Sequence, residues 1–257
     1  MYRSGFKSLA WGIAAFASFS TAHAQENGED QDDNHISVGV GVLLQKSPFN
    51  SAKTKAFPLP IISIKQGPFY FETAETGIRL GKNFGDVSPT IDLFVAARSP
   101  SGQDREKITA DVGARISLTT ELGTLSGEIR HDIINKFNGS EMSLRYSYPI
   151  SMGKLTITPA VHASWLDRKT ANYMFGVTSA QRAKMIAKER RVILPVAPIN
   201  SDAHNLGGEI AMALQLTERL TLIGVIGGTY LDKAIHRSAA IDQKWEAQAL
   251  LGISYRL

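Results

Sequence analysis

A chain of 257 residues with 43% hydrophobic content, 28 basic and 24 acidic residues and no cysteine has enough apolar surface for one domain of ordinary size or two small ones. The lack of cysteine excludes disulfides, thiolate nucleophiles and cysteine-ligated zinc, and it is compatible with export through an oxidising compartment. The formal charge of +4 is thin, because Arg3 and Lys7 fall in a segment expected to be removed; no basic run interleaved with aromatics points to nucleic acid.

The first residues, "MYRSGFK", give a positive leader, and "LAWGIAAFASF" an apolar stretch too short to span a bilayer. Ala22-His23-Ala24 forms a small-x-small cleavage site before Gln25. Residues 1–24 are therefore expected to be a signal peptide, with an uncleaved anchor helix as the other reading. Residues 25–35 begin "QENGEDQDDN", acidic and without apolar period, and read as a solvated periplasmic tail. No second apolar stretch reaches helical spanning length.

Strand signals follow. Ile36, Val38, Val40, Val42 and Leu44 alternate with Ser37, Gly39 and Gly41, one face apolar and the other small. After "QKSPFNSAKTK" come "PLPIISI", a turn at Lys65-Gln66-Gly67-Pro68, then "FYFET" and "GIRLGK" as two short strands within residues 69–82. The pattern is cleaner from Val87 to Ala97, where Phe94 is the one large apolar residue on the polar side. Further alternating runs cover 108–118, 125–133, 142–150, 155–165, 206–216, 220–231 and 246–257. Twelve candidate strands result. The last one places Ala247, Ala249, Leu251, Ile253, Tyr255 and Leu257 on one face.

Connections alternate in length. Those near 65–68, 83–86, 119–123, 151–153 and 217–219 are tight, and those near 45–57, 98–107, 134–139, 167–204 and 232–243 are longer. A tight link near residue 75 alone breaks the alternation. An even strand count with short turns at one end and long loops at the other marks an outer-membrane barrel, since an open sheet edge is not tolerated in hydrocarbon. The expectation is an all-β, closed antiparallel transmembrane β-barrel of about twelve strands over residues 36–257, with N- and C-termini periplasmic and a long extracellular loop at 167–204. The final strand should pair with the first. A soluble β-sandwich or periplasmic barrel shares the alternation but fits the loop asymmetry less well. Trp165, Tyr146, Tyr148, Tyr230, Trp245 and Tyr255 sit towards strand ends, where amphipathic rings favour the membrane interface.

Few residues suggest chemistry. His162 and Ser164, two apart on a strand, point to one face, so the imidazole could activate the hydroxyl. Outer-membrane phospholipase and lipid A deacylase carry a similar His-x-Ser pair aimed at the bilayer, whereas here the register aims it into the lumen. Asp92, Asp111, Arg115, Glu128, Arg130, Asp132, Glu141, Arg145, Glu209, Glu246 and Arg256 share the inward register with mixed signs, and are expected to pair across the lumen. No metal-site, phosphate-loop or calcium-loop pattern is present, so no catalytic, cofactor or metal residue is assigned. In the long loop, Thr178-x-x-Gln181 is a capping-box pattern opening a helix expected to run through Arg191. Its Arg182, Lys184, Lys188, Arg190 and Arg191 could meet lipopolysaccharide phosphates or a partner, or belong to a lid over the barrel mouth.

The stretches "VGVGVLL", "FPLPIISIKQGPFYFE", "NYMFGVTSAQ" with "ILPVAP", and "ALLGISYRL" resemble the MipA/OmpV family of outer-membrane proteins over nearly the whole mature chain. The first loop, "SPFNSAKTKAF", lacks the Tyr-x-Gly-Ser type element of many members, and the last residue is Leu where Phe is common. The resemblance implies a non-enzymatic barrel acting as a scaffold that links a murein-degrading lytic transglycosylase to a murein synthase. Two other functions stay open: a small-solute channel, for which inward Gly39, Gly41, Gly113 and Gly207 leave room, and a lipid-modifying hydrolase using His162 and Ser164.

Overall fold

The computed structural model describes residues 34–98 and 109–257. The expected signal peptide, nearly all of the expected acidic tail and most of the loop near 98–107 lie outside the described residues. Alternating side chains, apolar on one face and polar or small on the other, form β1 (His35–Lys46), β2 (Lys55–Gln66), β3 (Phe69–Glu72), β4 (Glu75–Gly81), β5 (Val87–Arg98), β6 (Thr109–Thr120) and β7 (Gly123–Asp132). Then come β8 (Ser140–Ser147), its short continuation β9 (Ile150–Met152), β10 (Leu155–Leu166), β11 (Ala203–Gln215), β12 (Leu220–Tyr230) and β13 (Trp245–Arg256). Pro149 divides β8 from β9, because proline has no N–H for the ladder.

Each strand pairs antiparallel with the next, and β13 returns to β1 with Val40 opposite Ile253 and Leu44 opposite Ala249. With β8 and β9 counted as one, this is a closed barrel of twelve strands. The last strand is thus the seam with the first, as its sequence pattern predicts. Its odd-numbered residues face outwards and Leu250 and Gly252 inwards.

The outer surface is a belt of apolar side chains. Val40, Ile116, Val161, Leu206, Ile226 and Leu251 are each at least 60% exposed. A water-soluble protein rarely shows so large an apolar area, whereas lipid chains solvate it. None of the described helices is long and apolar enough to cross a membrane; the strands provide the crossing.

The strands within 69–82 differ in extent from the sequence reading. β3 stops at Glu72, the turn is Thr73-Ala74, and β4 starts at Glu75, two residues before the expected strand. Thr73 ends the ladder: its N–H donates to the Ile62 carbonyl at 2.8 Å, and its Oγ1 accepts from the Ile62 N–H at 3.2 Å. The hairpin tip therefore reaches the long-loop end of β5, where the Ala97 N–H donates to the Ala74 carbonyl, but meets β2 only at Ile62, partway along that strand.

At that end, residues 47–54, 167–202 and 231–244 fold into a cap. β11 starts at Ala203, three residues before the expected strand, which shortens the loop. The cap holds α1 (Arg168–Phe175), capped by Asp167, and α2 (Ser179–Ala187), opened by the Thr178–Gln181 capping box. It also holds the short α3 (Lys233–His236). The alternation rules gave no sign of α1. α2 ends at Ala187 instead of Arg191, since Glu189 takes a left-handed φ of 47° and Met185 is its one buried anchor. Phe49, Phe175, Val177, Met185, Leu231 and Ile235 form a common apolar core in the cap.

Candidate functional site in the barrel lumen

The inward register divides the lumen into two unlike halves. On the side of β11, β12, β13, β1 and β2, Leu43, Leu59, Ala211, Ile223, Val225 and Leu250 pack together with Ile61. From β3 to β8 the inward positions carry charge.

Glu75 is the centre of the charged half and is almost fully buried, at 1% exposure. Arg115 donates to both of its oxygens at 3.1 and 3.0 Å, and Tyr70 donates its hydroxyl at 2.8 Å. Arg130 Nη2 lies 3.6 Å away. Arg115 also reaches Asp92 at 3.1 Å and Glu128 at 2.7 Å, while Arg79 holds Asp92 with two hydrogen bonds of 2.9 and 3.0 Å. Arg130 is also bonded to Glu128. Three guanidinium groups thus meet three carboxylates, which offsets the cost of removing each charge from water.

The ring of Phe94 lies under this layer, 4.8 Å from the Arg115 guanidinium and 5.1 Å from that of Arg130. Its inward position is the reason it breaks the polar face of β5 in sequence. Nearby, Arg98 bonds Asp111 and Glu141, and Arg145 bonds Glu209. Most of the charges expected to pair do so. Several bonds pass over an intervening strand: Arg115 on β6 to Glu75 on β4, and Arg145 on β8 to Glu209 on β11. Asp132 instead accepts from Thr109 Oγ1 and from the backbone of Ile134, Phe137 and Asn138, closing the loop after β7.

Glu75, Arg79, Arg98 and Tyr70 are absent from the sequence-based set. Continuing the alternation of Ile78 and Leu80 back to residue 75 would have placed Glu75 and Arg79 inwards, and the even register of Asp92 and Phe94 extends to Arg98. Glu75 and Arg98 lie just outside the expected strands, whereas Tyr70 and Arg79 lie within them, at the inward positions between outward Phe69 and Phe71 and between outward Ile78 and Leu80.

The carboxylates of this layer are held by guanidinium groups, an arrangement suited to filling and stiffening the lumen. His162 and Ser164 do face the lumen, as the register predicts. His162 Nε2 lies 3.4 Å from Thr229 Oγ1, and no hydrogen bond joins it to Ser164. A Cβ at Gly207 would overlap the His162 ring, so the imidazole is packed flat against β11. Among the described residues no group of His, Asp and Glu could hold a metal ion.

The family model of "MltA-interacting protein MipA" matches residues 38–257. The chain belongs to the MipA family. It is 24% identical over 259 residues to the MltA-interacting protein of Escherichia coli strain K12, covering 97% of this chain and 98% of that one. YiaT of the same organism, named for the outer membrane, is 21% identical over 232 residues, covering 87% of this chain and 91% of that one. A loop-deleted OmpT, an outer-membrane protein of Vibrio cholerae, aligns with a TM-score of 0.40 at 7% identity, over 88% of this chain and 100% of that one. With its closed wall and apolar outer belt, this MipA-family member is an outer-membrane β-barrel.

Proposed function

We propose that this MipA-family barrel is a non-enzymatic scaffold in cell-wall metabolism, joining a lytic transglycosylase to a murein synthase. In this reading residues 1–24 are removed on export, the acidic segment 25–35 and the short-turn end face the periplasm, and the cap faces outwards, where its basic residues 182–191 meet lipopolysaccharide phosphates. The observation that carries it lies at the short-turn end. Phe69, Phe84, Leu122 and Met152, at or beside four different short turns, are all more than half exposed. Apolar side chains at turn tips that need only polar residues offer anchors for a protein partner. The name of the Escherichia coli relative, an interacting protein, supports the same reading.

The test is co-purification from detergent extracts with the lytic transglycosylase and penicillin-binding proteins of the same cell. Wild type should retain them, and Phe84→Ser with Leu122→Ser should release them while keeping the heat-modifiable gel mobility of a folded barrel. Retention by the double variant would remove the turn tips from the interface. A channel is less supported, because the ion-paired layer and the apolar cluster occupy the lumen below the cap; single-channel recording should show little conductance.

A further inference from the structure

Among the described residues, the ladder that closes the barrel is short between β2 and β3. β2 pairs with β1 along nearly its whole length, but with β3 only over Ser63–Gln66, because the β3–β4 hairpin turns back at Thr73-Ala74. Above Ile62, among the described residues, the second edge of β2 has no strand partner. Its level is fixed by β1: Pro58 lies opposite Val42 and Pro60 opposite Val40, both exposed members of the lipid-facing belt. The unpaired edge is therefore continuous with that belt and at membrane depth.

The sequence fits this placement. Backbone groups of alternate residues along a strand point to opposite edges, and Ile62 directs its N–H and carbonyl towards Thr73. Pro60 and Pro58, of the same parity, thus face the open edge. There an unpaired donor would be costly in hydrocarbon, and proline has none. The missing donors also make the edge a poor template for an added strand, which would need them. Thr73, a β-branched residue at φ 40°, stays in a left-handed conformation while its side chain caps the ladder end. The hairpin tip also borders a hollow of about 450 Å³ that runs from Thr73 and Glu75 past Ala97 to Thr109 and Ile134, on the side away from β2. Behind the edge, Leu59 and Ile61 lead inwards to the apolar half of the lumen.

We infer that the opening between the upper part of β2 and the tip of the β3–β4 hairpin is a lateral portal that admits an acyl chain of a bilayer lipid towards the apolar half of the lumen. The occupant is set by the medium the opening faces, by the apolar residues along its path and by an edge on which Pro58 and Pro60 present no donor.

The native chain has no cysteine, so single-cysteine variants of the full protein can carry one bimane label each in bilayers of phospholipid with brominated acyl chains. Val40→Cys reports the lipid face, Ser126→Cys the lumen behind a fully paired wall, and Ile61→Cys the lumen behind the opening. Heat-modifiable mobility confirms that each variant folds. Quenching at Ile61→Cys should reach at least half of that at Val40→Cys and be several-fold that at Ser126→Cys. Quenching at Ile61→Cys no greater than at Ser126→Cys would overturn the portal. A second measurement uses the unsubstituted protein with a phospholipid bearing a photoactivatable acyl chain. Cross-links at inward Leu59 and Ile61 support the portal, and cross-links confined to outward residues overturn it, as would a peptide strand found paired along Pro58 and Pro60.

Discussion

The ring of Phe94 occupies the space that a side chain at residue 113 would need: a Cβ built on Gly113 would lie 2.6 Å from Phe94 Cε2. The two residues are opposite each other on β5 and β6. The absent side chain lets the ring lie flat beneath the guanidinium groups of Arg115 and Arg130. Gly113→Ala should therefore force the ring out of its place and destabilise the barrel by about 1–3 kcal/mol, the usual penalty of overpacking. The loss reads as a lower temperature or urea midpoint of the folded gel band. Adding Phe94→Leu to Gly113→Ala should recover part of it, whereas simple additivity would show that the two positions are not coupled.

Glu75 leads to a second expectation. Its carboxylate faces Arg115, Arg130 and the Tyr70 hydroxyl with almost no access to solvent. Glu75→Gln keeps the volume and removes the charge, leaving the guanidinium layer with one carboxylate too few. Breaking a buried pair from one side typically costs about 3–5 kcal/mol. Replacing both partners, with Glu75→Leu and Arg115→Met, should cost less than Glu75→Gln alone. Unfolding midpoints of the single and double variants decide it, and a double variant less stable than the single one would contradict the account.

Much of this fold is legible in period-two alternation, because a one-residue slip would turn every lipid-facing side chain into the lumen. Val38, Val40 and Val42 on β1, and Leu251 and Ile253 on β13, define their own face without help. The seam and the inward charges follow from the same rule. The hairpin within 69–82 does not, since its length depends on where Thr73 takes a left-handed turn, and no pattern of apolar residues encodes that. Glu75 was hidden for the same reason, although it sits at the centre of the ion-paired layer. The cap is a further case: α1 has a polar sequence, RKTANYMF, and becomes a helix where Asp167 caps it and Ala171 and Phe175 find the cap core. A tertiary surface decides that element, not its own periodicity.

The cap should be separable from the barrel. Met185 is the buried anchor of α2, so Met185→Asp places a carboxylate in an apolar core and should cost the cap about 3 kcal/mol or more. Met185 lies on α2, outside the strands of the wall, although Leu166 of β10 and Ala203 of β11 belong to the same apolar core. Limited proteolysis should therefore cut the variant within residues 178–196 far faster than wild type, with heat-modifiable mobility retained. Loss of the folded band in Met185→Asp would mean that the cap core is part of barrel assembly.

His162 and Ser164 supply the last test. A nucleophilic serine needs its base within hydrogen-bond reach and a third group to orient that base. Here the imidazole is held between Thr229 and the bare backbone of Gly207, with no hydrogen bond to Ser164. Both side chains face a lumen in which the neighbouring charges, Arg145 and Glu209, are bonded to each other. Purified protein in phospholipid or lipopolysaccharide micelles should release no fatty acid above a Ser164→Ala control, and a fluorophosphonate probe should leave Ser164 unmodified. Labelling of wild type that disappears in both Ser164→Ala and His162→Ala would reverse this reading and give the pair a hydrolytic role.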